Sequence, residues 1–135
     1  MNISKIDGPN DVKNNVLRDR AVRNRGGMQD FLAMVDEAEC GFLAFGDWSH
    51  YSLGFVHEIF VLPEFRGLGL GGSLLSFAEQ LAVRLGCTCV RLEVRSLDRE
   101  KVSDEFLTSW YLRNGYVPRS DKKGQMEKCF VRTET

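Results

Sequence analysis

The feature that most constrains how this chain can fold is a glycine run, Arg66-Gly67-Leu68-Gly69-Leu70-Gly71-Gly72-Ser73, set between a strand-like stretch and a helical one. Upstream, Phe55 to Leu62 is an apolar run that stops at Pro63, whose missing N–H suits a strand exit. Downstream, Leu74, Leu75, Ala78, Leu81, Ala82 and Leu85 recur at helical spacing, with Glu79, Gln80 and Arg84 on the other side. That stripe predicts an amphipathic helix of about four turns. Gly86 fits the C′ position after it, and Cys87 to Val94 returns as a β-branched strand. Strand, glycine loop, helix and strand in about 40 residues make a βαβ unit, with the strands parallel and the crossover right-handed.

The rest of the chain reads as more of the same domain, 1–135, in a mixed α+β fold. Ile3 to Ile6 is a short strand. Gly8-Pro9-Asn10-Asp11 resembles a helix start leading into a polar helix from Asp11 to Arg23, stopped at Gly26-Gly27. Phe31 to Val35 and Gly41 to Gly46 flank the acidic turn Asp36 to Glu39 and read as a hairpin. Ser103 with Asp104 and Glu105 reads as an N-cap and acidic first turn, and Gly115 as the C-cap of a helix carrying Phe106, Trp110 and Tyr111. Tyr116 to Val117 and Met126 to Val131 are the last strands.

Composition excludes several partners. Eighteen Lys and Arg against nineteen Asp and Glu leave a net charge of −1, without the basic field that non-specific nucleic-acid binding needs. Apolar runs fall far short of the ~20 residues that cross a bilayer, and Met1 to Lys5 lacks the apolar core of a signal peptide, so a cytoplasmic protein is expected. Its four cysteines, Cys40, Cys87, Cys89 and Cys129, are expected as thiols and no metal site is expected.

Glycines before a helix suit a pyrophosphate, because the first backbone N–H groups of a helix are unpaired and its dipole is positive there. A nucleoside triphosphate loop needs a lysine that is absent here. Gly67, Gly69 and Gly72 fit the dinucleotide pattern, with Glu93 near the place of a ribose-binding acid. However, Pro63 to Arg66 separate strand from glycines, and about 40 residues after Glu93 are too few for a doubly wound sheet. Arg66, Gly69 and Gly71 instead match [QR]-x-x-G-x-[GA]. Together with Glu58 to Arg66, Leu92-Glu93-Val94 and Trp110 to Tyr116, in that order, they resemble the GNAT N-acetyltransferase superfamily over about residues 29 to 132.

The resemblance implies a largely antiparallel sheet with a central splayed parallel strand pair flanked by helices. It implies acetyl-CoA as co-substrate, with the backbone of Ile59, Phe60 and Val61 along its pantetheine arm. Arg66, Gly67, Leu68, Gly69, Leu70, Gly71 and Gly72 would then hold the pyrophosphate. The implied chemistry is direct acetyl transfer in a ternary complex to a primary amine of a small molecule or peptide. An alkylammonium with a pKa near 10 must first lose a proton, and Glu58 and Glu93 are the candidate bases. Tyr111 is the candidate acid for the departing thiolate, and the Val61 N–H the oxyanion donor. Asp98 stands where the family usually has an asparagine. The resemblance leaves a homodimer open, as well as a non-catalytic acyl-CoA-binding module of the same fold.

Overall fold

A computed structural model describes residues 1–24, 28–95 and 102–130. Gly26, Gly27 and Asp98 lie outside the described residues. In chain order the elements are β1 (Asn2–Ile6), α1 (Asn15–Arg23), β2 (Met28–Val35), β3 (Ala38–Trp48), β4 (Leu53–Val61), α2 (Leu70–Arg84), β5 (Cys89–Glu93), α3 (Asp104–Arg113), β6 (Val117–Pro118) and β7 (Gln125–Cys129). The strands form one sheet in the order β1-β2-β3-β4-β5-β7-β6. Every neighbouring pair is antiparallel except β4 and β5, the pair joined through α2.

Helix α1 begins later than its sequence suggests. Pro9–Asp11 is a separate 3-10 turn, and α1 starts at Asn15 because the Asn14 side chain accepts from the Val16 and Leu17 amides. Glu39, at the start of β3, fixes that cap by accepting from the amides of Lys13 and Asn14. The β2–β3 turn is tighter than the four-residue acidic segment suggests. Only Asp36 and Glu37 lie between the strands, both at positive φ (48° and 67°), as a two-residue hairpin of this twist requires.

Strand alternation divides the core between the two faces of the sheet. Phe31, Leu43, Phe45, Val56 and Leu92 pack against Leu74, Leu75, Ala78 and Ala82 of α2. Leu32, Phe42, Ala44 and Phe60 pack on the other face against Leu17 and Ala21 of α1. Helix α2 lies so close to β4 that a Cβ on Gly54 would come within 3.1 Å of the Ala82 Cβ and 2.8 Å of the Phe45 ring. Among the aromatic residues of the hairpin, Phe31, Phe42 and Phe45 are core, while Trp48 and Tyr51 are exposed.

The expectation of four thiols is corrected. Cys89 and Cys129 face each other across the antiparallel β5–β7 pair and form a disulfide, whereas Cys40 and Cys87 are free and buried. Cys87 precedes β5 rather than sharing a face with Cys89, and its amide closes the end of α2 on the Ala82 carbonyl. Cys89, Cys129 and Glu127 offer ligand atoms within 4.8 Å of one another, but the two sulfurs are bonded to each other. No helix among the described residues is long and apolar enough to cross a membrane.

Candidate active site

The site begins where the parallel pair comes apart. Strands β4 and β5 are in register from Leu53–Cys89 to Val56–Leu92, and β4 then continues to Val61 without β5 beside it. At the same point β4 is irregular against β3: Ala44 opposes Glu58 and Phe45 opposes Val56, so His57 is the extra residue of a bulge. A bulge rotates everything beyond it by one face. Val56 packs on the α2 side, Ile59 and Val61 also pack on that side, and Glu58 and Phe60 turn toward α1. In a regular strand Val56, Glu58 and Phe60 would share one face.

The edge of β4 that β5 leaves open exposes alternate peptide groups. The Leu62 amide donates to the Cys40 carbonyl, so Leu62, and by alternation Phe60, direct their backbone groups to β3. Ile59 and Val61 direct theirs to the open side. Of the three residues expected along a pantetheine arm, Ile59 and Val61 therefore offer backbone to the cleft, and Phe60 offers a side chain to the α1 face. The Val61 carbonyl accepts from Arg66 Nε at 2.9 Å, and the Arg66 guanidinium lies 5.5 Å from the Phe60 ring centroid.

The open edge leads to the start of α2. Gly67 and Gly69 have φ of +84° and +79°, which a chain turning from strand into helix here needs glycine to adopt. Gly69 caps α2 with no side-chain hydrogen bond to its first turn. The amides of that turn are thus presented to a ligand, with the positive end of the helix dipole behind them. Gly71 and Gly72 are already helical, and added Cβ atoms would meet only Trp110 Cζ2 at 3.7 Å and nothing at all, respectively. The fold itself gives no reason for glycine at these two positions; a backbone approached closely by a ligand does.

These parts line one cleft of about 650 Å³, which also includes Glu58, Glu93, Phe106, Trp110 and Tyr111. Glu58 is buried at 9% exposure, with one carboxylate oxygen 3.3 Å from Arg20 Nη1 and the other accepting from Asn24 Nδ2 at 2.6 Å. Burial pushes its carboxyl above the usual range, against the opposing pull of Asn24 and Arg20. Its partners are on α1, not the Arg91 or Arg95 of the neighbouring strand, and Arg91 is paired with Glu127. Glu93 ends β5 and is exposed at the cleft.

Tyr111 is 8% exposed on α3, set edge-on to Trp110 at 5.0 Å and to Tyr116 at 5.8 Å between ring centroids. Burial raises its phenol to about 12, so it stays protonated at neutral pH and can only donate. Ser103 caps α3 by accepting from the Phe106 amide, and the Tyr116 hydroxyl donates to Glu79 of α2 at 2.8 Å, which fixes the end of α3 against α2. Leu68 is the most exposed residue of the loop.

Arg20 and Asn24 were not anticipated as site residues. A signal was present: Leu17, Arg20, Ala21 and Asn24 fall at i, i+3, i+4 and i+7, so two polar residues occupy the buried stripe of α1. Asp30, treated below, had no such signal.

Comparison with known proteins agrees with this architecture. An N-acetyltransferase of Archaeoglobus fulgidus, itself uncharacterized, is 36% identical over 66 residues, 45% of this chain; the match spans 44% of that protein's length. The PaiA N-acetyltransferase of Thermoplasma acidophilum, solved with coenzyme A, superposes with a TM-score of 0.63 over 85% of this chain and 68% of its own, at 20% identity. A GNAT acetyltransferase of Elizabethkingia anophelis, solved with acetyl-CoA, gives 0.67 over 96% and 97% at 14% identity. The sequence model of the acetyltransferase (GNAT) family matches residues 7–102, which takes in α1, the splayed strands and the glycine loop but stops short of Tyr111. With the bulged β4, its parting from β5 and the uncapped start of α2 all inside that match, the chain belongs to the GNAT acetyltransferase family.

Proposed function

We propose that this protein is an acetyl-CoA-dependent N-acetyltransferase that moves the acetyl group directly to a primary amine of a small molecule or peptide. Acetyl-CoA as co-substrate fits the family, and one observation carries it to this chain: an open strand edge at Ile59 and Val61 runs into an uncapped helix N-terminus flanked by Gly71 and Gly72. The strand edge offers an extended amide chain sheet-like hydrogen bonds, and the helix offers a diphosphate N–H donors and a positive dipole. Both use backbone, so affinity does not depend on a particular side chain.

The acceptor amine loses a proton to Glu58, directly or through water, and its nitrogen forms a bond to the thioester carbon. The Val61 N–H stabilises the oxyanion of the tetrahedral intermediate. As the C–S bond breaks, the electron pair goes to sulfur and Tyr111 supplies the proton. Glu58 is preferred to Glu93 as base because burial raises its basicity toward neutrality, where a general base is most effective, while Glu93 is exposed.

The test is thiol release from acetyl-CoA across polyamines, amino acids, aminoglycosides and peptide N-termini, with Glu58→Gln, Glu93→Gln and Tyr111→Phe. The expected result is a loss of about 100-fold in kcat for Glu58→Gln and at least about 10-fold for Tyr111→Phe, with acetyl-CoA affinity retained. Tight acetyl-CoA binding with no acceptor, or full turnover in all three variants, favours the non-catalytic module.

A further inference from the structure

We infer that Asp30 is a positioning residue for the base, acting through Glu58 so that the two carboxylates take up the acceptor's proton as a coupled pair. The inference rests on the catalytic reading of Glu58 given above. It comes from the sheet register. Ile6, Asp30, Ala44 and Glu58 are cross-strand partners in one row over β1, β2, β3 and β4. Leu32, Phe42, Ala44 and Phe60, the neighbouring positions of that face, all pack toward α1. The bulge at His57 brings Glu58 into this row; without it the side chain would point to the α2 face.

Between the two acids stands Ala44, fully buried and too small to screen one from the other. With strands ~4.8 Å apart, their backbones are ~10 Å apart and both side chains project the same way. Asp30 Oδ1 is buried and has no hydrogen-bond partner, the one such side-chain atom among the described residues. Buried carboxylate oxygens are seldom left so.

The surrounding charges explain the coupling. Helix α1 contributes Arg20, with neutral Asn24 beside it, and β4 contributes Glu58 and His57. On this row β1 and β3 contribute only Ile6 and Ala44, neither of which titrates. When both carboxylates are ionised, the pair carries two negative charges against the single guanidinium that bonds Glu58. Burial first, and the Glu58 charge second, raise Asp30 to about 6. The last proton of the pair therefore leaves near neutral pH, where a lone carboxylate would already be ionised, and such a pair titrates in steps that belong to neither residue alone.

The experiment is a carbon-13 NMR titration of the side-chain carboxyls in wild type, Asp30→Asn, Asp30→Glu and Glu58→Gln, with acetyl-CoA binding measured on each sample. It needs no acceptor. In wild type both carboxyls are expected to report two shared steps, the upper near pH 6. Asp30→Asn collapses Glu58 to one step about one pH unit lower, Glu58→Gln lowers the Asp30 midpoint, and Asp30→Glu keeps two steps. On an acceptor from the screen above, the acid limb of kcat/KM moves down with the Glu58 midpoint in Asp30→Asn and stays in Asp30→Glu, at unchanged KM for acetyl-CoA.

Independent titration of the two carboxyls, or an acid limb in Asp30→Asn that overlies wild type, overturns the inference. Loss of acetyl-CoA binding in the wild type would instead overturn the proposed function, and the titration separates the two failures.

Discussion

Gly71 and Gly72 separate what the fold needs from what a ligand needs, and replacing each with alanine tests that separation. Both are in the first turn of α2, and an added Cβ meets nothing closer than Trp110 at 3.7 Å. Alanine is the better helix former by roughly 0.5–1 kcal/mol, less in a first turn, so Gly71→Ala and Gly72→Ala should unfold about 2 °C higher than wild type. Acetyl-CoA should suffer. A methyl group on the surface that the diphosphate approaches displaces at least one N–H to anion hydrogen bond, worth about 1.5–3 kcal/mol, or roughly 10- to 100-fold in Kd. Thermal denaturation and calorimetric titration with acetyl-CoA read the two effects on the same samples. A raised Tm with unchanged affinity in both variants would refute the idea that these glycines exist to let a ligand near. Gly67 and Gly69 behave oppositely: their positive φ means that alanine there costs about 1 kcal/mol before any ligand is added.

Other outcomes follow from particular contacts. Gly54→Ala should destabilise by about 1–3 kcal/mol in urea unfolding, because its methyl has nowhere to go between Phe45 and Ala82. Glu37→Gly should stabilise by up to about 1 kcal/mol, since Glu37 holds a left-handed φ of 67° in the β2–β3 turn. For Asp30, the folded carboxyl titrates at about 6 against an ordinary 3.8, so the folded state holds more protons between those values. Stability therefore falls as pH rises from 4 to 6. Full expression of the shift is about 3 kcal/mol, and partial exposure cuts it to about 1. Asp30→Asn should match wild type near pH 3.5 and exceed it by about 1 kcal/mol at pH 8 in denaturant titrations.

Much of this was legible along the chain because the signals were local. The period of the α2 stripe, Gly86 at its end and Ser103 before α3 are each set by residues within a turn of one another, and the structure agrees with all three. The glycine loop was legible too, though not which glycines serve the backbone: that depends on φ. What escaped was set by pairing between distant segments. The Cys89–Cys129 disulfide needs β7 to insert beside β5, 40 residues away in sequence. The partners of Glu58 come from α1, 34 and 38 residues earlier, and the face it occupies is decided by a bulge against β3. A strict alternation rule places Glu58 and Val56 together; only the observed register separates them.

The central claim is that the open edge of β4 and the start of α2 form one continuous backbone cradle for acetyl-CoA. Its most direct measurement is an amide-resolved NMR titration of the wild-type protein with acetyl-CoA. The largest shifts are predicted at Ile59, Val61 and Gly67 to Gly72, with the Phe60 amide, which faces β3, moving less than its two neighbours. Saturable binding whose shifts lie elsewhere, or no shifts at millimolar acetyl-CoA, would contradict it.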